Sequence, residues 1–391
     1  MKKLQKLSLV ASLALISTQA FAADTLAEAF SEGKVSGEIK SQYYQKESNT
    51  SKTVNIWTNG GNLSYETGAF NGLSAGVTFQ VASTTAEDLD ENPTAYDSDQ
   101  NVSGAVMSQS YLQYTRGNTT AKVGRQYIST PLVAGSGSRI FQESFEAYTL
   151  KNTDLPNTTI TAALVTKFQG RTDGNEGPSD FNKLGDGVYS IYVTNNSIEN
   201  LSLAAQYVQA TKFTNDDKDI TLYYLNGSYD FGAFKVGAQY YGSDDENTTD
   251  TDYYLSNRDG YLYALNASTS IGNLSLGASY SEVSEDGGVS AYKLGNGADY
   301  IYTWTWMYGG VYDADTKAYS INGSYKFTDK LSASFIHANW EIGNSGDSKE
   351  TDVIVDYKFT KALSARLLYA DLNDNAGFGK YKSRLYVSYK F

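Results

Sequence analysis

In the last segments of the sequence, charged side chains fall on one of the two alternating sets of positions, opposite rows of apolar side chains. In residues 381–391, Lys382 and Arg384 share one parity, whereas Leu385 and Val387 share the other. Alternate residues of a strand point to opposite faces, so the charges form a row on one face. Such a row sets an electrostatic field in water and makes or breaks no covalent bond. The chemistry that the pattern predicts is attraction and repulsion of charged groups.

The residue types that nucleophilic or metal chemistry requires are almost absent. The chain has no cysteine and one histidine, His337. A catalytic triad needs a histidine beside a nucleophile, and a zinc site needs several histidine or cysteine ligands. His337 lies on the apolar parity of its predicted strand, where it cannot serve as a base. We therefore expect no enzymatic activity, no cofactor and no metal site.

Alternating segments fill most of the chain and predict an all-β fold. The terminal segment ends on an aromatic residue and would leave an open sheet edge, so we expect it to pair with the first strand. This predicts a transmembrane antiparallel up-and-down β-barrel of about eighteen strands, with the apolar parity facing lipid and the polar parity facing water. The predicted strands are 35–44, 54–65, 73–82, 106–115, 120–128, 144–151, 158–168, 187–195, 200–210, 219–229, 234–242, 259–269, 274–283, 317–327, 331–340, 350–359, 363–371 and 381–391.

Short and long connections alternate along the predicted strands. The short ones, such as 230–233 and 328–330, have the composition of hairpin turns. The long ones, 82–104, 243–258 and 284–316, are polar and rich in acidic residues. Bacterial outer-membrane barrels have short periplasmic turns and long extracellular loops, so the alternation predicts the orientation. A soluble propeller would instead repeat a blade motif at a fixed period, and none is present.

The N-terminal residues and the composition predict export. Lys2 and Lys3 precede the apolar run 7–16, and Ala20-Phe21-Ala22 has the pattern of a cleavage site, so we expect residues 1–22 to be a signal peptide. Residues 23–391 then form one barrel domain. The formal net charge of −13 argues against nucleic-acid binding. A mean hydropathy of −0.43 together with 33 tyrosines is typical of barrels with aromatic girdles.

Residues 111–168 resemble the OprD-type outer-membrane porins, particularly their epsilonproteobacterial branch. The resemblance lies in YLQYTRGNTTAKVGRQYISTPLV and SRIFQESFEAYTLKNTDLPNTTITA, in the opening ADTLAEAFSEGKVSGEIK, and in the final YVSYKF. It implies an 18-stranded barrel, passive diffusion of small solutes, and a constriction formed by two inward-folding extracellular loops, near 129–143 and 284–316. Members of the family often carry a ladder of arginines for carboxylates. This chain has only seven arginines, which departs from that pattern.

Parity and the resemblance together give the candidate pore-lining residues. The resemblance places Arg139 at the constriction, with Glu143 and Glu146 facing it. The aromatic run 300–308 either packs into the lumen, which we expect, or lies against the outer interface. Arg125 shares the lipid parity of Val123, so we expect either a bulge at Gly124 that turns it inward or a position near the headgroups. The alternation along the strands predicts that a further set of charged side chains faces the lumen: Lys122, Asp352, Asp356, Lys358, Arg366, Lys382 and Arg384.

These expectations combine into a porin of the bacterial outer membrane, a water-filled channel for ions and small hydrophilic solutes. The alternative is an adhesin or receptor that acts through the long acidic loops. Expected partners are the solutes, outer-membrane lipid and lipopolysaccharide, and the barrel-assembly machinery, which would recognise Phe391; a homotrimer is one expected assembly. We expect a modest cation preference, because the acidic residues near the constriction and in the loops oppose a wall that is slightly basic.

Overall fold

The computed structural model describes most of the chain from residue 22 onwards. The described residues are 22–47, 53–89, 100–174, 176–213, 217–245, 259–289, 294–299, 301–343, 346–374 and 381–391. Residues 1–21 of the predicted signal peptide lie outside these ranges, as do most of the acidic segment 243–258 and part of 82–104. Among the described residues, no helix is long and apolar enough to span a membrane.

Eighteen long strands of the described residues form one antiparallel sheet. They are β1 (Lys34–Glu47), β2 (Val54–Glu66), β3 (Leu73–Leu89), β4 (Gly104–Arg116), β5 (Thr119–Gln126), β6 (Ser144–Asn152), β7 (Thr158–Gln169), β8 (Phe181–Asn195), β9 (Leu201–Thr211), β10 (Ile220–Asp230), β11 (Phe234–Asp245), β12 (Gly260–Ile271), β13 (Leu274–Val283), β14 (Thr316–Lys326), β15 (Leu331–Ile342), β16 (Gly346–Lys358), β17 (Leu363–Asp374) and β18 (Tyr381–Lys390). Each pairs with its neighbours in sequence, which confirms the predicted fold class.

The barrel closes between its first and last strands, as predicted. β1 pairs antiparallel with β18 in a register that sets Glu38 opposite Lys390 and Glu47 opposite Tyr381. Beyond the end of β18, the backbone of Phe391 exchanges two hydrogen bonds with Gly37, of 3.0 and 3.1 Å. Closure removes the two open edges that would otherwise carry unpaired backbone groups.

The two faces of the sheet differ as the alternation predicts. On β17, Leu367 and Tyr369 are exposed on the outside, whereas Arg366 lines the interior. At the ends joined by short turns, aromatic rings such as Phe231 and Phe234 stack on the outer wall. Higher on the wall, outward-facing rings from β9 to β14 form what we call the tyrosine band, composed of Tyr207, Tyr223, Tyr240, Tyr263, Tyr280 and Tyr319. Two aromatic girdles that flank an apolar wall are typical of outer-membrane barrels.

Local chemistry shapes the short-turn end. The turn before β3 has Asn71 and Gly72 at φ of 51° and 82°, and only residues that tolerate the left-handed region can form such a two-residue turn. Helix α1 (Leu26–Ser31) begins with a capping box formed by Thr25 and Glu28. The Gly68 N–H donates to Ala29 of the helix at 2.8 Å, which fixes the helix under this turn.

The observed strands differ from the predicted ones mainly at the long-loop end. β8 begins at Phe181 rather than 187, β3 continues to Leu89 rather than 82, and β16 begins at Gly346 rather than 350. These extensions rise above the apolar part of the wall; on β16 the outward Asp347 and Lys349 are exposed, whereas the inward Ser348 is buried. The two-residue hydrophobic period disappears there, so the sequence signal stops before the hydrogen-bonded ladder does.

Candidate functional site

The connection between β5 and β6, loop L3 (residues 127–143), crosses the inside of the barrel. The Leu132 N–H donates to Gln206 Oε1 on β9 at 2.8 Å. On the other side, the Tyr386 hydroxyl of β18 donates to the Ser138 carbonyl at 2.6 Å. β9 and β18 lie opposite each other in an eighteen-stranded ring. L3 is therefore attached to both sides of the lumen.

Apolar residues fix L3 to one half of the wall and to the connection between β13 and β14, loop L7 (residues 284–315). Leu132 and Val133 are almost fully buried in the largest apolar cluster of the described residues, together with Val208 of β9 and Leu294 of L7. The Ala134 N–H donates to Leu294 at 3.0 Å, so the two loops share backbone hydrogen bonds. Packed side chains fill one side of the lumen, so the passage for solutes lies on the other side.

Glu143 joins three loops. Its carboxylate is fully buried and accepts hydrogen bonds from the backbone N–H groups of Ser136 at 2.8 Å and of Asn296 in L7 at 2.9 Å, and from the Asn296 side chain. Arg171, from the connection between β7 and β8, places Nε 3.5 Å from the same carboxylate. A buried carboxylate is tolerated only with such donors. Glu143 therefore holds L3 and L7 together and does not face open water.

Two carboxylates of β16 fasten L7 to the opposite part of the wall. Glu350 accepts from the Met307 and Tyr308 N–H groups at 2.6 and 2.8 Å. Asp352 accepts from the Trp306 N–H at 3.0 Å. Both carboxylates are fully buried. We call this contact the L7 latch. Of the aromatic run 300–308, the described residues lie inside the barrel, as its composition predicts.

Basic side chains gather where L3 reaches β18 and β1. Lys40 Nζ donates to the Arg139 carbonyl at 3.2 Å. Arg384 Nη1 donates to the Tyr386 hydroxyl at 3.4 Å, and its guanidinium lies over the Tyr44 ring, 5.3 Å from the centroid. We call Lys40, Arg139 and Arg384 the basic cluster, and the section of the lumen between it and L7 the constriction.

Below the constriction, a cavity of about 3130 Å³ opens towards the short-turn end. Within it, Lys122 Nζ lies 3.9 Å from the centre of the Tyr111 ring, and Arg366 forms a two-point ion pair with Asp356 at 2.7 and 3.1 Å. Its charged lining is mixed, with basic side chains in excess of acidic ones: Lys34, Lys122, Lys151, Lys235, Lys326, Lys330, Lys358 and Arg366 against Glu32, Glu66, Asp230, Asp329 and Asp356.

Comparison with known families identifies the chain. The sequence model described as Gram-negative porin matches residues 10–377, which is most of the sequence. The chain belongs to the Gram-negative porin family. It therefore forms an outer-membrane channel for small solutes, and no finding supports the alternative role as an adhesin. No curated protein sequence matches the porin.

Solved structures share the fold of the porin at low sequence identity. Acinetobacter baumannii OccAB4 matches with a TM-score of 0.77 and 18% identity, over 92% of this chain and 98% of that one. Pseudomonas aeruginosa OccK8 (OprE) matches with a TM-score of 0.77 and 15% identity, over 93% and 99%. P. aeruginosa OpdK with vanillate matches with a TM-score of 0.76 and 15% identity, over 93% and 99%. The OprD-type resemblance is thus confirmed at the level of porin family and fold.

Most residues that parity sends inward lie on the inner face of the porin. Lys122, Asp356, Lys358 and Arg366 line the large cavity. Three others lie on the inner face but are buried between the wall and the loops: Asp352, Lys382 and Arg384. Arg139 lies in L3 beside the wall, half-buried.

Two predicted pore-lining residues face outward instead. Arg125 and Glu146 stand opposite each other on β5 and β6, on the same face as the exposed Val123 and Tyr148. Gly124 has a φ of 118°, but the pairing of β5 keeps its register and the expected inward turn of Arg125 does not occur. Of the two positions expected for Arg125, the structure has the one on the outer wall. The prediction set Glu146 opposite Arg139 although it lies in the predicted strand 144–151, and in the structure it follows the parity of β6.

Several residues of the site are absent from the sequence-based prediction. Lys40 and Glu350 share the inward parity of β1 and β16, so parity alone would have found them. Gln206, Asn296 and Arg171 act through contacts with loops that are distant in sequence. Only the folded arrangement of L3 and L7 brings these three to the constriction.

Proposed function

We propose that the porin passes ions and small hydrophilic solutes through the constriction, and that the constriction favours anions. The observation that supports this most directly is the position of Lys40 and of the half-buried Arg139 where L3 reaches β18 and β1, with the buried Arg384 beside them. Charged groups at a narrow place between low-dielectric walls concentrate counter-ions more strongly than charges in a wide vestibule.

The carboxylates near the constriction are engaged, and one of them, Glu38 on β1, lies 3.6 Å from Lys40 Nζ of the basic cluster. Glu143 accepts from L3 and L7, and Glu350 and Asp352 accept from the backbone of L7. Their oxygens are thus occupied by hydrogen bonds to the loops. The sequence-based expectation of a modest cation preference placed Glu143 and Glu146 beside the constriction. Since Glu143 is buried and Glu146 faces outward, the proposed preference has the opposite sign.

Small carboxylates are the solute class that we infer. OpdK, which shares the fold, was solved with vanillate, a carboxylate. Carboxylates match arginine in geometry and charge. By this likeness the basic cluster of the porin would guide a carboxylate past L3, although the chain has few arginines.

Reversal potentials in planar bilayers with a KCl gradient test the proposal. We expect the porin to favour chloride, and Arg139→Gln or Arg384→Gln to shift the potential towards potassium. Arg366→Gln is the matched control, because Arg366 faces the wide cavity and pairs with Asp356. A potassium preference that neither substitution changes would refute the anion proposal, and the absence of any conductance would refute the channel itself.

The remaining assignments extend the family membership and depend on sequence features. We infer that residues 1–22 act as a signal peptide, that the porin lacks enzymatic activity, that Phe391 takes part in recognition by the barrel-assembly machinery, and that homotrimers form. Assignment to the epsilonproteobacterial branch of the OprD-type porins depends on the resemblance of residues 111–168. N-terminal sequencing of the mature porin and its mass in mild detergent test the first and the last of these inferences.

A further inference from the structure

A group of charged residues interrupts the tyrosine band on the outer wall. On β9, β11 and β13, a tyrosine faces outward six positions from the short-turn end of the strand. These residues are Tyr207, Tyr240 and Tyr280, respectively. At the same level, β5 and β6 carry Arg125 and Glu146. At this level of the outer wall, charged side chains on β5 and β6 therefore take the place of the tyrosines found on β9, β11 and β13.

The arc continues onto β7 with Lys167. Arg125 is paired in register with Glu146, and Glu146 with Lys167, so all three side chains share one face of the sheet. Val123, next along that face of β5, is exposed on the outer wall, whereas Lys122 lines the lumen. The face that carries the three charges is the outer one. We call Arg125, Glu146 and Lys167 the charged arc.

The level of the arc is the upper edge of the apolar wall. Directly beyond the tyrosine band, the next outward residues are polar, namely Gln209 after Tyr207 and Glu282 after Tyr280. In outer-membrane barrels, aromatic residues of this kind lie where acyl chains meet headgroups. The charged arc thus lies at headgroup height, on the side of the long extracellular loops and hence in the outer leaflet.

The contacts of Arg125 leave its guanidinium able to donate hydrogen bonds to an external acceptor. It lies over the Phe181 ring, 4.1 Å from the centroid, and Nη1 donates to the Met107 carbonyl at 3.2 Å. The ion pairs of the described residues do not include Arg125. A guanidinium has five N–H donors, and this arrangement leaves most of them for an external acceptor. Lys167 Nζ is positioned by Glu146, 3.0 Å away.

A depression of about 310 Å³ opens on the outer wall beside Arg125. Its floor contains the small residues Gly124 and Ala147, and its rim contains Val123 and Tyr148. Charged donors therefore border a recess that has apolar residues on the side of the acyl chains. The arrangement matches a lipid molecule at the interface, with its charged headgroup beside the donors and its acyl chains beside the apolar residues.

We propose that the charged arc binds a phosphate group of an outer-leaflet lipid headgroup, the chemistry that lipopolysaccharide presents. Arg125 and Lys167 would donate to the phosphate oxygens, and Glu146 would orient Lys167. Further cations lie above the arc, where Lys183 and Lys212 share Asp186 at 3.0 Å each. Within the charged arc itself, the two cations Arg125 and Lys167 accompany one carboxylate, Glu146, which favours an anionic ligand. A two-fold contact with a second copy of the chain would instead bring like charges together.

Native mass spectrometry of the purified porin with lipid A tests the proposal, using lipid A with its phosphates and lipid A from which they have been removed. We expect tight binding of the phosphorylated lipid only. In the double variant Arg125→Gln and Lys167→Gln, the apparent affinity should fall about tenfold or more, since hydrogen bonds to charged groups are lost. Inorganic phosphate alone should compete weakly, because it lacks the acyl chains that the recess contacts.

Lys317→Gln is the matched control. Lys317 faces outward on β14, nine residues from the short-turn end, as Lys167 does on β7, but it lies among tyrosines. This control should bind lipid A as the unmodified porin does, and bilayer conductance should be the same in all variants. Equal lipid binding by the double variant and the unmodified porin would overturn the proposal. So would loss of oligomeric mass in the double variant without loss of lipid, because the arc would then be a subunit contact.

Discussion

Glu143 illustrates, at the scale of single residues, how burial changes the role of a charge in a channel. Its carboxylate is completely enclosed by donors from L3, L7 and Arg171. Asp356, on the same inner surface of the barrel, faces water and pairs with Arg366. Both are acidic residues of the lumen, yet the first shapes the passage and the second contributes to its field. Residue type and parity alone do not separate these roles.

Replacement of Glu143 should loosen the loops without unfolding the barrel. Glu143→Ala leaves the buried N–H groups of Ser136 and Asn296 without an acceptor, at roughly 1–3 kcal/mol for each. We expect larger and noisier single-channel currents, with an unchanged thermal unfolding midpoint of the barrel. Glu146→Ala, on the outer wall, should leave the currents unchanged. Quiet currents of normal size in Glu143→Ala would contradict the role assigned to Glu143.

Asp299 should make L7 sensitive to pH. Burial raises the pKa of the Asp299 carboxyl, and the Tyr312 hydroxyl, the Gly310 N–H and the Trp304 side chain oppose this rise only in part. At pH values between the pKa of Asp299 in the unfolded loop and its raised pKa in the folded loop, the folded loop binds the proton more tightly. The stability of L7 therefore falls as pH rises through this window.

Open-channel noise measured against pH tests this prediction. We expect the noise to increase as pH rises from acid towards neutral, because L7 becomes less firmly held. Asp299→Asn keeps an acceptor oxygen and cannot ionise, so its noise should be independent of pH over the same range. A variant with the same pH dependence as the unmodified porin would place the titrating group elsewhere.

At the scale of elements, the strands could be predicted from the sequence far better than the loops. All eighteen predicted strands overlap observed ones, since each carries its own apolar period and lies next to its sequence neighbour. Contacts such as Leu132 with Gln206 and Ser138 with Tyr386 join residues that are far apart in the chain. No local pattern encodes such contacts. Parity places both Arg125 and Glu146 on the outer face, and the inward alternatives came from an expected bulge at Gly124 and from the expected contact of Glu146 with Arg139.

Removal of the L7 latch should detach L7 from the wall without disturbing strand β16. Glu350→Ala removes the acceptor of the Met307 and Tyr308 N–H groups, so L7 should detach from the wall. We expect a higher conductance and faster cleavage of L7 by an added protease. Asp356→Ala is the control, because Asp356 lies on the same strand and face but pairs with Arg366. Protease resistance equal to that of the unmodified porin would show that the latch does not hold L7.

At the scale of the whole molecule, stability depends on closure of the sheet. The seam between β1 and β18 joins the first and last of the eighteen long strands, and all other pairs among these eighteen join sequence neighbours. Gly37 lies at this seam, where a Cβ atom would come within 2.6 Å of the Asn62 carbonyl and 2.7 Å of the Phe391 ring. The absence of a side chain at Gly37 is thus a requirement of closure.

Substitution of Gly37 should impair barrel formation. Gly37→Ala forces the seam apart or displaces Phe391, at about 1–3 kcal/mol for overpacking. We expect a lower midpoint for the heat-induced shift in electrophoretic mobility that distinguishes folded barrels. Gly227→Ala is the control, because its Cβ would meet only Leu203 Cδ2, at 3.4 Å. Equal midpoints for the two variants would show that the seam tolerates a methyl group.

The attachment of L3 to both β9 and β18 also has a mechanical consequence. A hollow cylinder in a fluid membrane can flatten into an ellipse when the surrounding lipid compresses it. L3 works as a cross-brace against that deformation, since flattening in either direction must stretch or crush the segment between Leu132 and Ser138. Changes in bilayer tension should therefore alter the porin's current little, whereas deletion of the brace should make the current vary with the applied tension.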